Sequence, residues 1–242
     1  MLLRMLVLGC LTCGAFRADA QTGNLQESTE IRWFFPGTVP ADVHEWFNSG
    51  GRLGEAVSSE GEREDLYFIS SGNPHLGTKL REGDLEIKER GESRELREAI
   101  FAGRAEHWRK WSWQYADDKS DFDSYFDGLV VAGFKRETSK DSWIEIGKNR
   151  RRRAFQFNEI GALTPTVGRV SSGVLAEITE VSAGRQSWWT IACEVVNADK
   201  PFEKLVTGLT WILEDYPGPR LSIAESYSYP EWLLLSGLVP QK

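Results

Sequence analysis

The 242-residue chain has three cysteines, two methionines and three histidines. Cys10 and Cys13 fall within the first twenty residues, which leaves Cys193 alone in the body. One thiol makes neither a disulfide framework nor a Cys-rich zinc site. His44, His75 and His107 are scattered at spacings that match no metal-ligand motif. The patterns G-x-x-x-x-G-K-[ST], G-x-S-x-G and G-x-G-x-x-G are all missing, so common nucleotide-binding and serine-hydrolase readings lose their support. After residue 20 no apolar run approaches the roughly 20 residues that span a bilayer, so no membrane span is expected in the body. An excess of positive charge is also lacking: 29 Lys and Arg face 36 Asp and Glu, a net charge of −7. That balance argues against a protein that binds nucleic acid over its whole surface. An anion site must then be a local concentration of basic residues inside an acidic shell.

Aromatic residues are plentiful, with 10 Trp, 12 Phe and 6 Tyr, and they supply ample core. Residues 1–20 admit two readings. Arg4, an apolar stretch and Ala18-Asp19-Ala20 fit a secretory signal cut before Gln21. A start placed upstream of a native one near residue 21 fits equally well. Export follows from the first, a cytoplasmic protein from the second. Neither linker nor repeat is visible, so residues 21–242 are expected to form one domain.

Short strands are expected over 30–35, 63–70, 76–81, 85–90, 128–137, 143–146, 150–157, 174–181 and 187–196, with Glu82-Gly83-Asp84 as a hairpin turn. Pro40 suits the first position of a helix over 41–47. A second helix is expected over 94–106, with Leu96, Ile100 and Phe101 on one face. Asn197 would cap a third, running to about Asp215, whose apolar face is Phe202, Leu205, Val206, Leu209, Ile212 and Leu213. Residues 115–128 are acidic and read as a surface loop. The tail around Tyr229-Pro230-Glu231-Trp232 reads as a packing segment.

Strand side chains alternate between two faces. Ile31, Trp33 and Phe35 oppose Glu30 and Arg32. Leu66 and Phe68 oppose Arg63, Asp65 and Tyr67. Leu76, Thr78 and Leu80 oppose Lys79 and Arg81, and Leu85 and Ile87 oppose Glu86, Lys88 and Arg90. An antiparallel sheet with one wet face accounts for this pattern. Two details favour another architecture: the charges over 79–90 are mostly basic in an acidic protein, and several amphipathic helices need apolar surface to cover. An α+β fold satisfies both, in which a tunnel-like antiparallel β-barrel of about eight strands has a charged lumen and helices packed outside.

Several segments resemble a known pattern. Asp65-Leu66-Tyr67-Phe68, then Leu76-Gly77-Thr78-Lys79-Leu80-Arg81, then Glu82-Gly83-Asp84 and Leu85-Glu86-Ile87-Lys88 are similar in order and spacing to the CYTH, or triphosphate tunnel metalloenzyme, superfamily. The likeness is densest over 63–90 and extends loosely over 28–196. The superfamily's opening E-x-E-x-K aligns with Ser28-Thr29-Glu30-Ile31-Arg32, where Ser28 replaces the first Glu and Arg32 the Lys. Late acidic residues in the superfamily help to hold metal, and Glu177 and Glu194 occupy similar places.

The resemblance implies a metal-dependent phosphohydrolase acting on an organic or inorganic triphosphate. It implies Glu30 and Lys88 as catalytic residues. Arg32, Arg63, Lys79, Arg81, Lys88, Arg90, Lys148, Arg150 and Arg152 would bind a small phosphorylated substrate. Glu30, Glu177 and Glu194 would hold Mg²⁺ or Mn²⁺. Magnesium accepts one or two carboxylates when phosphates and water complete its shell. The missing second acid favours an alternative, a non-catalytic β-barrel that binds a phosphorylated or other small anion. A third reading is a partner-binding scaffold that uses 115–127 or Arg150–Arg153. In the arginine run, alternation puts one pair inside and one outside; a nucleic-acid patch and a solvated hairpin arm near Gly147-Lys148-Asn149 are the other options. Trp108, Trp111, Trp113, Trp188 and Trp189 read mainly as packing, with base stacking as the minor option.

Overall fold

The computed structural model describes residues 24–54, 57–69, 74–82, 84–114, 142–168 and 170–238. The leader, the acidic stretch over 115–128 and the strand expected at 128–137 lie outside these residues.

Nine strands follow in chain order: β1 (Asn24–Pro36), β2 (Ser58–Ile69), β3 (Leu76–Arg81), β4 (Asp84–Arg97), β5 (Ala102–Gln114), β6 (Ser142–Phe157), β7 (Leu163–Thr166), β8 (Gly173–Ala183) and β9 (Gln186–Val196). They pair in the order β2-β3-β4-β5-β1-β9-β8-β6-β7, and β2 also pairs with β6. That last pairing closes eight strands into an antiparallel barrel, while β7 extends the sheet from residues 154–157 of β6. Closure leaves the eight strands no free edge.

The two faces of each strand then meet different surroundings. Ile31, Trp33 and Phe35 point outward into a core shared with Val43 and Phe47 of α1 (Ala41–Asn48) and with Phe202, Leu205, Leu209 and Ile212 of α2 (Pro201–Ile212). Pro40 sits one residue earlier than expected, at the N-cap of α1. Asn197 does not cap α2: it has a φ of 47°, Lys200 is the N-cap residue with a φ of 48°, and Pro201 begins the helix. A second apolar cluster, with Phe34, Tyr67, Ile69, Ile146 and Val181 from the inner faces, packs on Trp232 and Leu233 of α3 (Tyr229–Leu235). Trp232 stacks on Phe34 at 4.6 Å, so α3 closes one end of the barrel. Among the described residues no helix is long and apolar enough to cross a membrane.

The helix expected over 94–106 is instead the hairpin between β4 and β5. Leu96, Ile100 and Phe101 carry a helical spacing, but the period-2 pattern continues through Glu106, Trp108 and Lys110, and long-range pairing to β1 decides the outcome. Gly103 lies where the outward side chains of β1 cross β5. A Cβ there would sit 2.7 Å from Ile31 Cδ1 and 2.8 Å from Trp33 Cζ2. Trp33 is pinned by its own Nε1 bond to the Ala102 carbonyl at 2.8 Å. Gly103→Ala is therefore expected to destabilise by about 1–3 kcal/mol, the usual range for overpacking. An unchanged urea midpoint would show that Trp33 can move.

Residues 142–157 also differ from expectation. Gly147 does not break them into two strands, because residues 142–152 pair with β2 on one side and 147–155 with β8 on the other. The arginine run is accordingly mid-strand rather than on a hairpin arm. Arg150 and Arg152 turn inward. Arg153 turns outward yet is buried, donating to the carbonyls of Phe47, Leu53 and Gly54.

Candidate functional site: the charged lumen

The inner face is charged because seven strands each place one or two charged residues on it. β1 contributes Glu30 and Arg32, β2 Arg63, β3 Lys79, β4 Glu86 and Lys88, β6 Lys148 and Arg150, β8 Glu177 and β9 Glu194. Tyr67, Trp108, Thr179, and Tyr229 and Pro230 of α3 complete the cavity wall. Pro230 reaches the wall because residue 77 is glycine: a Cβ there would lie 3.2 Å from the proline ring.

The charges are tightly paired. Arg32 donates to Glu177 at 2.6 Å and to Thr190 Oγ1 at 3.0 Å. Arg150 meets the other oxygen of Glu177 at 3.3 Å. Burial would raise the Glu177 carboxyl, but these two guanidiniums overcome it and hold the group well below the usual range. Lys88 lies 3.1 Å from Glu30. Burial works against the ammonium, yet Glu30 and Glu194 keep its pKa raised. Glu86 accepts from Lys79 at 2.8 Å, which lowers its carboxyl to about 2 against the effect of burial. Beneath the wall, fully buried Asp65 serves Lys148 at 2.8 Å, Arg63 at 3.2 Å and Lys79 at 3.6 Å. Lys148 also donates to Tyr67 Oη at 2.6 Å and lies 3.9 Å above the Tyr229 ring.

Three donors on the wall have no partner among the described residues: Arg32 Nε, Trp108 Nε1 and Tyr229 Oη.

Glu30, Arg32, Arg63, Lys79, Lys88, Lys148, Arg150, Glu177 and Glu194 thus converge on one cavity. The other three expected residues lie off its wall. Arg81 and Arg152 turn to Glu60 at 3.4 Å and 3.2 Å. Arg90 joins Glu106 and, at 3.0 Å, Glu231 of α3. Tyr229 and Glu86 line the cavity although neither is an expected site residue, and Trp108, read mainly as packing, lines it too; Glu106 lies off the wall with Arg90. Alternation already put Glu86 on the inner face, while Trp108 and Glu106 flank the misread 94–106 segment. Of the other tryptophans, Trp189 stacks on Phe35 in the outer core and Trp188 packs edge-on against Trp232.

Glu106 carries a pH effect. Burial pushes its carboxyl up to about 7; Arg90 only partly offsets this, and Glu231 and Glu30 add repulsion. The folded protein holds a proton there that the unfolded chain, at its ordinary value of 4.5, has released. Stability therefore falls as pH rises from about 4.5 to about 7, by roughly 3 kcal/mol at most. Urea unfolding at intervals between pH 5 and 8 should show this negative slope in the wild type and a flatter one in Glu106→Gln. Equal slopes would discount the effect.

Two of the three expected metal ligands are already held by cations. Glu30 is engaged by Lys88 and Glu177 by two arginines, and among the described residues no three His, Cys, Asp or Glu side chains form a metal-holding group. A cation entering here would have to displace three ammonium or guanidinium partners.

A closed eight-stranded barrel lined by facing cations and carboxylates is a charged β-tunnel, the form expected from the resemblance over 63–90. No protein-family model matches the chain, and no curated protein matches it significantly. Among solved structures, the PH1819 protein from Pyrococcus horikoshii OT3 is 16% identical with a TM-score of 0.47, over 86% of this chain and 99% of that one. A protein provisionally assigned as an adenylate cyclase from Bacillus halodurans is 11% identical with a TM-score of 0.36, over 80% and 93%. The Pct1 RNA triphosphatase from S. pombe is 10% identical with a TM-score of 0.34, over 80% and 82%. With every score below 0.5, the architecture rests on the strand order and pairing set out above.

Proposed function

We propose that the lumen is a receptor for a small polyphosphorylated molecule. One observation carries this reading: six cations and four carboxylates line one cavity. The arginine forks match phosphate oxygens in pairs, and the lysines supply compact charge. With α3 across one end, the ligand enters from the other. The closed end keeps bulk water away from these charges, which strengthens their hold on an anion. The cations are pre-organised by their carboxylate partners, so little reordering accompanies binding.

The test is calorimetric titration of the full chain with tripolyphosphate, beside a thermal-shift series. Saturable binding with a concentration-dependent rise in melting temperature is expected. Absence of both would overturn the reading.

Metal-dependent hydrolysis of the same ligand is the second reading. It draws on the register that sets Glu30 directly opposite Glu194 on neighbouring strands. Phosphate release measured with added Mg²⁺ or Mn²⁺ separates the two, and the receptor reading expects binding without release.

A further inference from the structure

We propose that Glu60 is a resident anion in a four-arginine subsite at the open mouth of the barrel, and that an incoming polyphosphate displaces it. This rests on the receptor reading of the lumen. Arg63, Arg81, Arg150 and Arg152 all converge on this one carboxylate. Oε2 accepts from Arg63, from Arg81 at 3.4 Å, and from both Nε and Nη2 of Arg150; Oε1 lies in an ion pair 3.2 Å from Arg152 Nη2. A single carboxylate so surrounded occupies the kind of position a phosphoryl group would take.

The surroundings are short of negative charge without it. Arg63 shares Asp65, Arg150 shares Glu177 and Arg81 lies 3.9 Å from Glu86, but Asp65 and Glu86 also serve Lys79. Among the described residues Arg152 has no ion pair except Glu60. Arg63 and Arg150 also line the cavity, so the cluster is continuous with the lumen.

Local backbone geometry aims Glu60 here. Counting by twos from Arg63, residue 60 belongs on the outer face with Glu62 and Glu64. The register shifts, however: Ser59 pairs with Arg151 and Glu62 with Asn149, so Glu60 and Gly61 together oppose Arg150. This is a one-residue bulge, with Gly61 in the left-handed region at φ 69°. The bulge reverses the alternation and turns Glu60 inward. Glu60 is only partly buried, so it is placed to leave toward solvent.

The experiment titrates full-length wild type, Glu60→Gln and the outer-face control Glu62→Gln with tripolyphosphate. Removing the competing anion should tighten binding about tenfold in Glu60→Gln and leave Glu62→Gln at the wild-type value. The free Glu60→Gln protein should melt earlier, because four arginines lose their shared partner, and ligand should raise its melting temperature more than it does for wild type. Glu60→Asp, which withdraws the carboxylate by one methylene, should gain an intermediate amount and serves if the glutamine variant does not fold. Wild-type binding with no gain in either variant overturns the inference and leaves the receptor reading standing. No binding to any of these proteins overturns both.

Discussion

Asp65→Asn is expected to lose about 3–5 kcal/mol of unfolding free energy, the range for removing one member of a buried ion pair. The loss is large because Asp65 has no exposed surface and three cations lean on it: Lys148, Arg63 and Lys79. Burial opposes ionisation of Asp65, but these cations hold its carboxyl well below the ordinary 3.8. The group contributes stability above that unfolded value and loses it as pH falls further, a window separate from that of Glu106. Against a typical total of roughly 5–15 kcal/mol, the variant would stand near the edge of folding. Equilibrium urea unfolding checks the size. Adding Lys148→Met should recover part of the loss, because the damage comes from cations left without a counter-charge. A midpoint within experimental scatter of the wild type would show that water reaches this site.

Lys88→Ala should weaken tripolyphosphate binding by about a hundredfold, more than the loss of a single phosphate contact. Two effects add. The substitution removes a lumen cation worth roughly 1.5–3 kcal/mol to an anion. It also strips Glu30 of the partner 3.1 Å away, exposing the ligand to an uncompensated carboxylate. Lys88→Ala with Glu30→Gln should therefore bind better than Lys88→Ala alone. If the double variant is no better, Glu30 does not face the bound anion. Calorimetry gives both affinities directly, and the metal-free titration keeps this result independent of any hydrolysis.

Much of the site was legible in the alternation. Lys79 and Lys88 on one side of their strands, with Leu80 and Ile87 on the other, already separated lumen from wall, and β3 begins and ends where expected. The same counting placed Arg32, Arg63 and one pair of the 150–153 arginines inside, while Lys148 and Glu177 came only from the resemblance. It failed where the period is interrupted or borrowed. Glu60 reads as an outer-face residue until the bulge at Gly61 is known. Leu96, Ile100 and Phe101 carry a spacing that suits a helix, so Glu106 at the edge of that segment lost its inner-face position and Trp108 beyond it was not counted as a wall residue. Tyr229 comes from a helix of the tail, and nothing in its neighbourhood announces that it enters the barrel.

By itself the sequence determined which side of each strand is charged and which helical faces are apolar, because these are matters of period within a few residues. Closure and destination were decided only in three dimensions. Pairing of β2 with β6 joins residues about 80 positions apart, such as Asp65 and Ile146, and it is this contact that turns a wet face into a lumen. The seat of α3 over Phe34 and Tyr67 likewise converts a tunnel into a cup. Both depend on side chains meeting across large separations in sequence, where periodicity carries no information and packing and charge complementarity choose the partner.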